Sequence, residues 1–136
     1  MKRWLALSLQ VLWAASAASA EPVTGNMLLE ACAAEDDFTK QGFCVGYLIG
    51  VIEGLRYGAS VPLFAITEPD GTNPNKLKEI AAMADSFLGF CAPPEAQYSQ
   101  HREIVTNYLS AHPENRHESA RTLAIAALNE AFPCPK

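Results

Sequence analysis

After residue 20 the sequence contains no tryptophan, no two cysteines close enough to form a CxxC redox pair, and no cluster of lysine and arginine. It also lacks the short motifs of common catalytic machinery: no GxSxG elbow, no P-loop, no HExxH and no dinucleotide GxGxxG. Strict alternation of apolar and polar residues, the mark of a half-buried strand, persists nowhere. Each absence excludes something. Without basic clusters there is nothing to neutralise phosphates, so nucleic-acid binding is excluded. Without alternation the chain reads as helical, and 136 residues are too few for a multidomain enzyme.

The first twenty residues differ from the rest. They hold both tryptophans (Trp4 and Trp13), a basic start at Lys2 and Arg3, an apolar run from Trp4 to Ala18, and a small-x-small ending at Ala18-Ser19-Ala20. This pattern predicts a secretory signal peptide over residues 1–20, cleaved after Ala20, followed by one exported domain over 21–136. Removing Lys2 and Arg3 leaves eight basic against fifteen acidic residues, a net charge of −7. No membrane span is expected in the mature chain. The most apolar candidate, Phe43 to Ile66, contains Glu53, Arg56 and Pro62, and each charge near a helix centre costs about 2.5–3.5 kcal/mol in lipid.

Export places Cys32, Cys44, Cys91 and Cys134 in an oxidising compartment, where an even number suggests two disulfides. Three pairings are open. The simplest joins 32 to 44 and 91 to 134, since each bridge ties neighbouring segments; loops of that size stabilise by about 3 and 4 kcal/mol in the chain-entropy model. Zinc would want close ligand pairs, which these spacings do not supply.

Helices separated by Pro, Gly and Asn account for the mature chain. The first is expected to start near Asn26, as N-cap, and to end before or within Glu35-Asp36-Asp37. The second runs from about Thr39 or Phe43 to near Gly58 and reads as the most buried helix, through Val45, Leu48, Ile49, Ile52 and Leu55. It carries Gly46, Gly50, Gly54 and Gly58 at a strict interval of four. Each glycine costs a helix about 0.8–1 kcal/mol relative to alanine, so this stripe needs a compensating close helix contact, expected within one subunit. Residues 59–75, with Pro62, Pro69, Asp70-Gly71 and Asn73-Pro74, read as a long irregular stretch with an apolar first half. Further helices are expected at about 75–88, 97–111 and 118–131, the last stopped by Pro133. The fold class is therefore all-α, a small single-domain bundle of about five helices.

Catalytic constellations fail one by one. His112 and His117 are five apart with Pro113 between them, which fits a helix-capping turn rather than a metal site. Glu53 is expected to pair with Arg56 or with another internal base, and His101 to be a packed, hydrogen-bonded core residue. Adjacent acids at 35–37 read as a solvated face. No metal, no cofactor and no enzymatic activity are expected.

Taken in order, GNMLLEAC (Gly25 to Cys32), FCVGYLIGVIEG (Phe43 to Gly54), FCAPP (Phe90 to Pro94), Gln100, YLSAHPENRH (Tyr108 to His117), Ala127-Leu128 and AFPC (Ala131 to Cys134) form a recognisable series. The series resembles the Rap/Tai family of type VI secretion amidase immunity proteins, over about residues 24 to 134. The resemblance implies a small all-α periplasmic protein, often a homodimer, that binds and blocks a peptidoglycan amidase. It also supports the local cysteine pairing. The best-matching positions are scaffold, and no family motif falls between Gly58 and Cys91. Partner contacts are expected in the apolar and acidic residues of that stretch, including Leu63, Phe64, Glu68 and Asp70. The alternative is a non-enzymatic structural or assembly module of the envelope on the same scaffold. A small hydrolase ranks third.

Overall fold

The computed structural model describes residues 22–67 and 73–135; the expected signal peptide and its cleavage site lie outside them. The first three helices begin where a side chain satisfies free N–H groups. Thr24, in extended conformation, accepts from the Met27 amide and opens α1 (Gly25–Cys32). Asp37 Oδ1 accepts from the amides of Thr39 and Lys40, both at 3.0 Å, and opens α2 (Phe38–Thr67). Asn73 Oδ1 accepts from the Asn75 amide ahead of α3 (Pro74–Leu88), with Pro74 in the first turn where its missing N–H costs nothing. That helix ends at Gly89, whose φ of 83° is the one left-handed conformation among the described residues. Next come α4 (Tyr98–Ala111), a short 3-10 turn (Pro113–Asn115) and α5 (Ala120–Ala131). The described residues contain five α-helices and no strand, so the all-α expectation holds.

The core lies where α1, the first half of α2, α4 and α5 meet. Leu28, Ala31, Cys32, Cys44, Leu48, Val105, Leu109 and the α5 residues Leu123, Ala124 and Ala127 form one buried cluster. Alanines on α5 let α4 and α1 approach it closely. A smaller cluster of Ile52, Phe90 and Leu128 continues it.

Two disulfides pin this body at opposite ends. Cys32–Cys44 joins the end of α1 to the start of α2, and Cys91–Cys134 joins the segment after α3 to the segment after α5, the local pairing. Beside the second, the Cys91 amide donates to the Phe132 carbonyl at 2.8 Å. The N-terminal segment is sewn to the start of α5: the amides of Gly25 and Asn26 donate to the carbonyls of Glu118 and Arg116, and the Ala120 amide donates to Val23. Gly25 is required there, because a Cβ would sit 2.5 Å from Leu123 Cδ1 and 3.0 Å from the Arg116 backbone.

Two expectations are corrected here. Residues 59–67 are not irregular, since α2 continues through Pro62 to Thr67 and reaches 30 residues. Proline inside a helix costs about 3 kcal/mol or more in isolation. Here α3 packs along this part of α2, and tertiary packing outweighs the local penalty. Nor is α2 a buried helix: of its thirty residues only Cys44, Leu48 and Ile52 are buried. Its second half and α3 form a helical hairpin extending the body. By length and composition alone, α2 is apolar enough to cross a bilayer, with a mean hydropathy of 1.3.

Candidate partner-binding surface

The hairpin is held to the body by a junction of charged and aromatic side chains. Arg56 on α2 forms a two-point pair with Asp85 on α3, at 2.8 and 3.0 Å, and its guanidinium lies 5.6 Å from the centre of the Phe90 ring. One helical turn earlier, Glu53 accepts from the Tyr98 hydroxyl of α4 at 2.6 Å. The expected Glu53–Arg56 pair is therefore not formed. Glu53 points toward α4 and Arg56 toward α3, so the two charges tie α2 to two different helices. The Tyr98 phenol is raised above its ordinary value, first by that hydrogen bond, then by burial and by the Glu53 charge.

His101 sits beside this junction on α4, 4% exposed, packed between the rings of Tyr98 and Phe132 at 5.8 Å each. It is a packed core residue, as expected, but neither ring nitrogen has a hydrogen-bond partner among the described residues. Burial, reinforced by the positive charge of Arg56 and opposed by Glu53, holds its imidazole below the ordinary value.

His112 and its neighbours form the expected capping turn. Arg116 donates through Nε to the Leu109 carbonyl and through Nη2 to Ser110 at 2.8 Å, and the His112 ring contacts the Tyr108 carbonyl. These groups satisfy the open carbonyls at the end of α4. Among the described residues no group of three or more His, Cys, Asp and Glu could hold a metal ion, and all four cysteines are oxidised.

The outer side of the hairpin is apolar. Between α2 and α3 lies an open trough of about 460 Å³, floored by Gly54, Gly58 and Ala59 and flanked by Leu63, Met83 and Phe87. A second hollow of about 440 Å³, along Gly46, Tyr47, Gly50 and Val51 and bordered by Arg121 of α5, shares Gly54 and Leu55 with it, so the two form one continuous surface. Phe87 is 85% and Tyr57 75% exposed. Of the expected contact residues, Leu63 lines the trough and Phe64 is half-buried on the same helix, while Glu68 and Asp70 lie outside the described residues.

The glycine stripe occupies this surface. A Cβ built at Gly46, Gly50, Gly54 or Gly58 would meet nothing within 4 Å. The expected close packing inside one subunit is therefore absent among the described residues. The reason is angular. The buried line of α2 runs through Cys44, Leu48 and Ile52, and the glycines fall on the other side of the helix. Sequence reasoning also missed the exposed aromatics Phe43 and Tyr57 on α2. Their signal was a helix side without charge, legible once the register of Leu48 and Ile52 is fixed.

These features define an all-α, doubly disulfide-bonded domain whose prominent open surface is an apolar helical hairpin. The sequence matches Rap1a immunity proteins over residues 24–134, and the chain belongs to that family. No curated protein and no solved structure matches the chain.

Proposed function

We propose that this protein is an exported, non-enzymatic immunity protein that binds and inhibits a peptidoglycan amidase delivered by type VI secretion. The observation that carries this reading is the family match over 24–134, joined to the ordered cysteine and glycine series of the Rap/Tai resemblance. Other features agree with it. Both disulfides suit an oxidising compartment such as the periplasm, and the first twenty residues have the composition of a signal peptide. An inhibitor benefits from a rigid frame, because little order is then lost on binding. The excess of acidic residues favours fast encounter with a basic effector.

The contact is assigned to the end of α2 and the segment following it, with Leu63, Phe64, Glu68 and Asp70 as its members. The test is direct. Cells exporting a type VI secretion amidase toxin are expected to lyse, and co-expression of this protein to rescue them, with the two proteins co-purifying. Joint substitution of Leu63, Phe64, Glu68 and Asp70 by alanine is expected to abolish rescue while leaving the helical circular dichroism signal unchanged. Failure to neutralise any periplasmic amidase toxin would transfer the protein to the structural-module reading.

A further inference from the structure

The outward face of α2 meets one charge, and another helix supplies it. The glycine hollow and the trough that continues it are lined by apolar residues of α2 and α3 and by Arg121 of α5, with no aspartate or glutamate in either lining. The charges of α2 beyond Lys40, Glu53 and Arg56, are engaged with Tyr98 and Asp85. Arg121 is exposed, and it forms no salt bridge among the described residues. It stands in the first turn of α5, where the helix end is already partly positive and Ser119 makes no side-chain cap. A cation there works against the helix that carries it. We propose that the outward face of α2, from the hollow beside Arg121 to Leu63, is the groove in which an apolar helix of the amidase docks, with an aspartate or glutamate of that helix placed on Arg121.

This rests on the inhibitor reading and names the surface and the chemistry it uses. Leu63, at the far end of the trough, belongs to the contact already assigned to the end of α2, and the groove carries that contact back along the helix to α5. The shape suits a helix. At Gly46, Gly50, Gly54 and Gly58 the space a Cβ would enter is open, and small residues at intervals of four make a shallow channel for the ridge of a crossing helix. Gly46 to Leu63 spans about 25 Å, which seats about four turns of a partner. Tyr47 and Phe87 flank the channel and supply the aromatic area on which such contacts concentrate. Arg121 selects the partner's charge. A helix seated over the hollow excludes water from the guanidinium, and a carboxylate then satisfies it. The acidic excess of the chain speeds the encounter, whereas Arg121 acts on the partner once seated. A second copy docking by this same face brings no carboxylate to it. A bilayer is disfavoured too, because fifteen acidic against ten basic residues repel an anionic lipid surface.

Titration calorimetry of the purified mature protein with a purified type VI secretion amidase toxin is the test. Arg121→Glu is expected to weaken binding by about 100-fold or more and Arg121→Gln by about tenfold, while Arg121→Lys keeps the charge and loses less than either. A glutamate favours the start of α5, so the melting temperature of Arg121→Glu holds or rises, which separates lost binding from lost fold. Gly50→Glu places a carboxylate in the open channel, preserves the helical circular dichroism signal and weakens binding by about 100-fold. Glu103→Gln, in a separate hollow between α2 and α4, leaves binding unchanged. Binding insensitive to both Arg121→Glu and Gly50→Glu overturns the groove and leaves the inhibitor reading standing. Binding lost in Gly50→Glu but not in Arg121→Glu overturns the carboxylate. A wild-type protein that binds no such amidase removes the inhibitor reading and the groove together. A lower sedimentation mass in Gly50→Glu at unchanged amidase affinity assigns the face to a second copy, and flotation with phospholipid vesicles that is lost in Arg121→Glu assigns it to lipid; either result overturns the proposal.

Discussion

Arg56 and Asp85 meet through two parallel hydrogen bonds, Nε to Oδ1 at 2.8 Å and Nη2 to Oδ2 at 3.0 Å, with both side chains largely withdrawn from water. The fork links the middle of α2 to the last turn of α3, and α3 makes its main packing contacts with α2 alone. Asp85→Ala leaves the guanidinium half-buried and unpaired, a change that costs about 1–3 kcal/mol. Urea denaturation is expected to show that loss. Hydrogen exchange is expected to accelerate in α3 before it does in the body.

His101 makes stability pH-dependent in a defined direction. Its folded-state value lies below that of an unfolded histidine, near 6.5, so the neutral ring is the form the fold accommodates. That contribution is complete above about pH 6.5 and is lost as pH falls below it, because the unfolded chain then takes up a proton the folded chain resists. Glu53 on α2 opposes this effect, while Arg56 on α2 reinforces it. The urea midpoint is expected to fall between pH 7.5 and pH 5.5, and His101→Phe to flatten the fall. An equal slope in both proteins would remove His101 as its source.

Pro62 offers a test of the helix that passes through it. In an exposed helix interior, Pro62→Ala restores a backbone donor and removes a ring that crowds the preceding turn. A gain of about 1–3 kcal/mol is expected, offset in part by the greater freedom of the unfolded chain. Were 59–67 a loop, the same substitution would give no gain. Thermal denaturation together with helical circular dichroism distinguishes the two results.

The two disulfides should differ in their contribution. Opening Cys91–Cys134 by paired serine substitution frees the longer loop and costs about 4 kcal/mol, against about 3 kcal/mol for Cys32–Cys44. Each is a large share of a stability of about 5–15 kcal/mol. Peptide mapping without reductant checks the pairing, and denaturant midpoints of the two variants check the order.

Much of the frame was legible from local chemistry. Asn73 with Pro74, Pro133 and the apolar repeat along α5 each act within a turn or two, so their meaning survives without tertiary information. The partners of Glu53 and Arg56 were not legible, because they come from residues 45 and 29 positions away. A local i,i+3 pair was available and the fold did not use it. The glycine stripe was read with the right periodicity and the wrong side. Periodicity says that residues share a face; only the docking of α1, α4 and α5 says which face turns inward. The run at 59–67 failed for a related reason, since Pro62 argues against helix locally while α3 supplies the packing that carries the helix through it.

The seam between Val23–Asn26 and residues 116–120 bears on how the molecule is made. The earliest described segment finds its hydrogen-bond partners at the very start of α5. Until that last helix has been made, the seam cannot close and the core lacks Leu123, Ala124 and Ala127. The chain therefore completes its core only when nearly all of it has been made. The second disulfide closes only after that, because Cys134 follows α5.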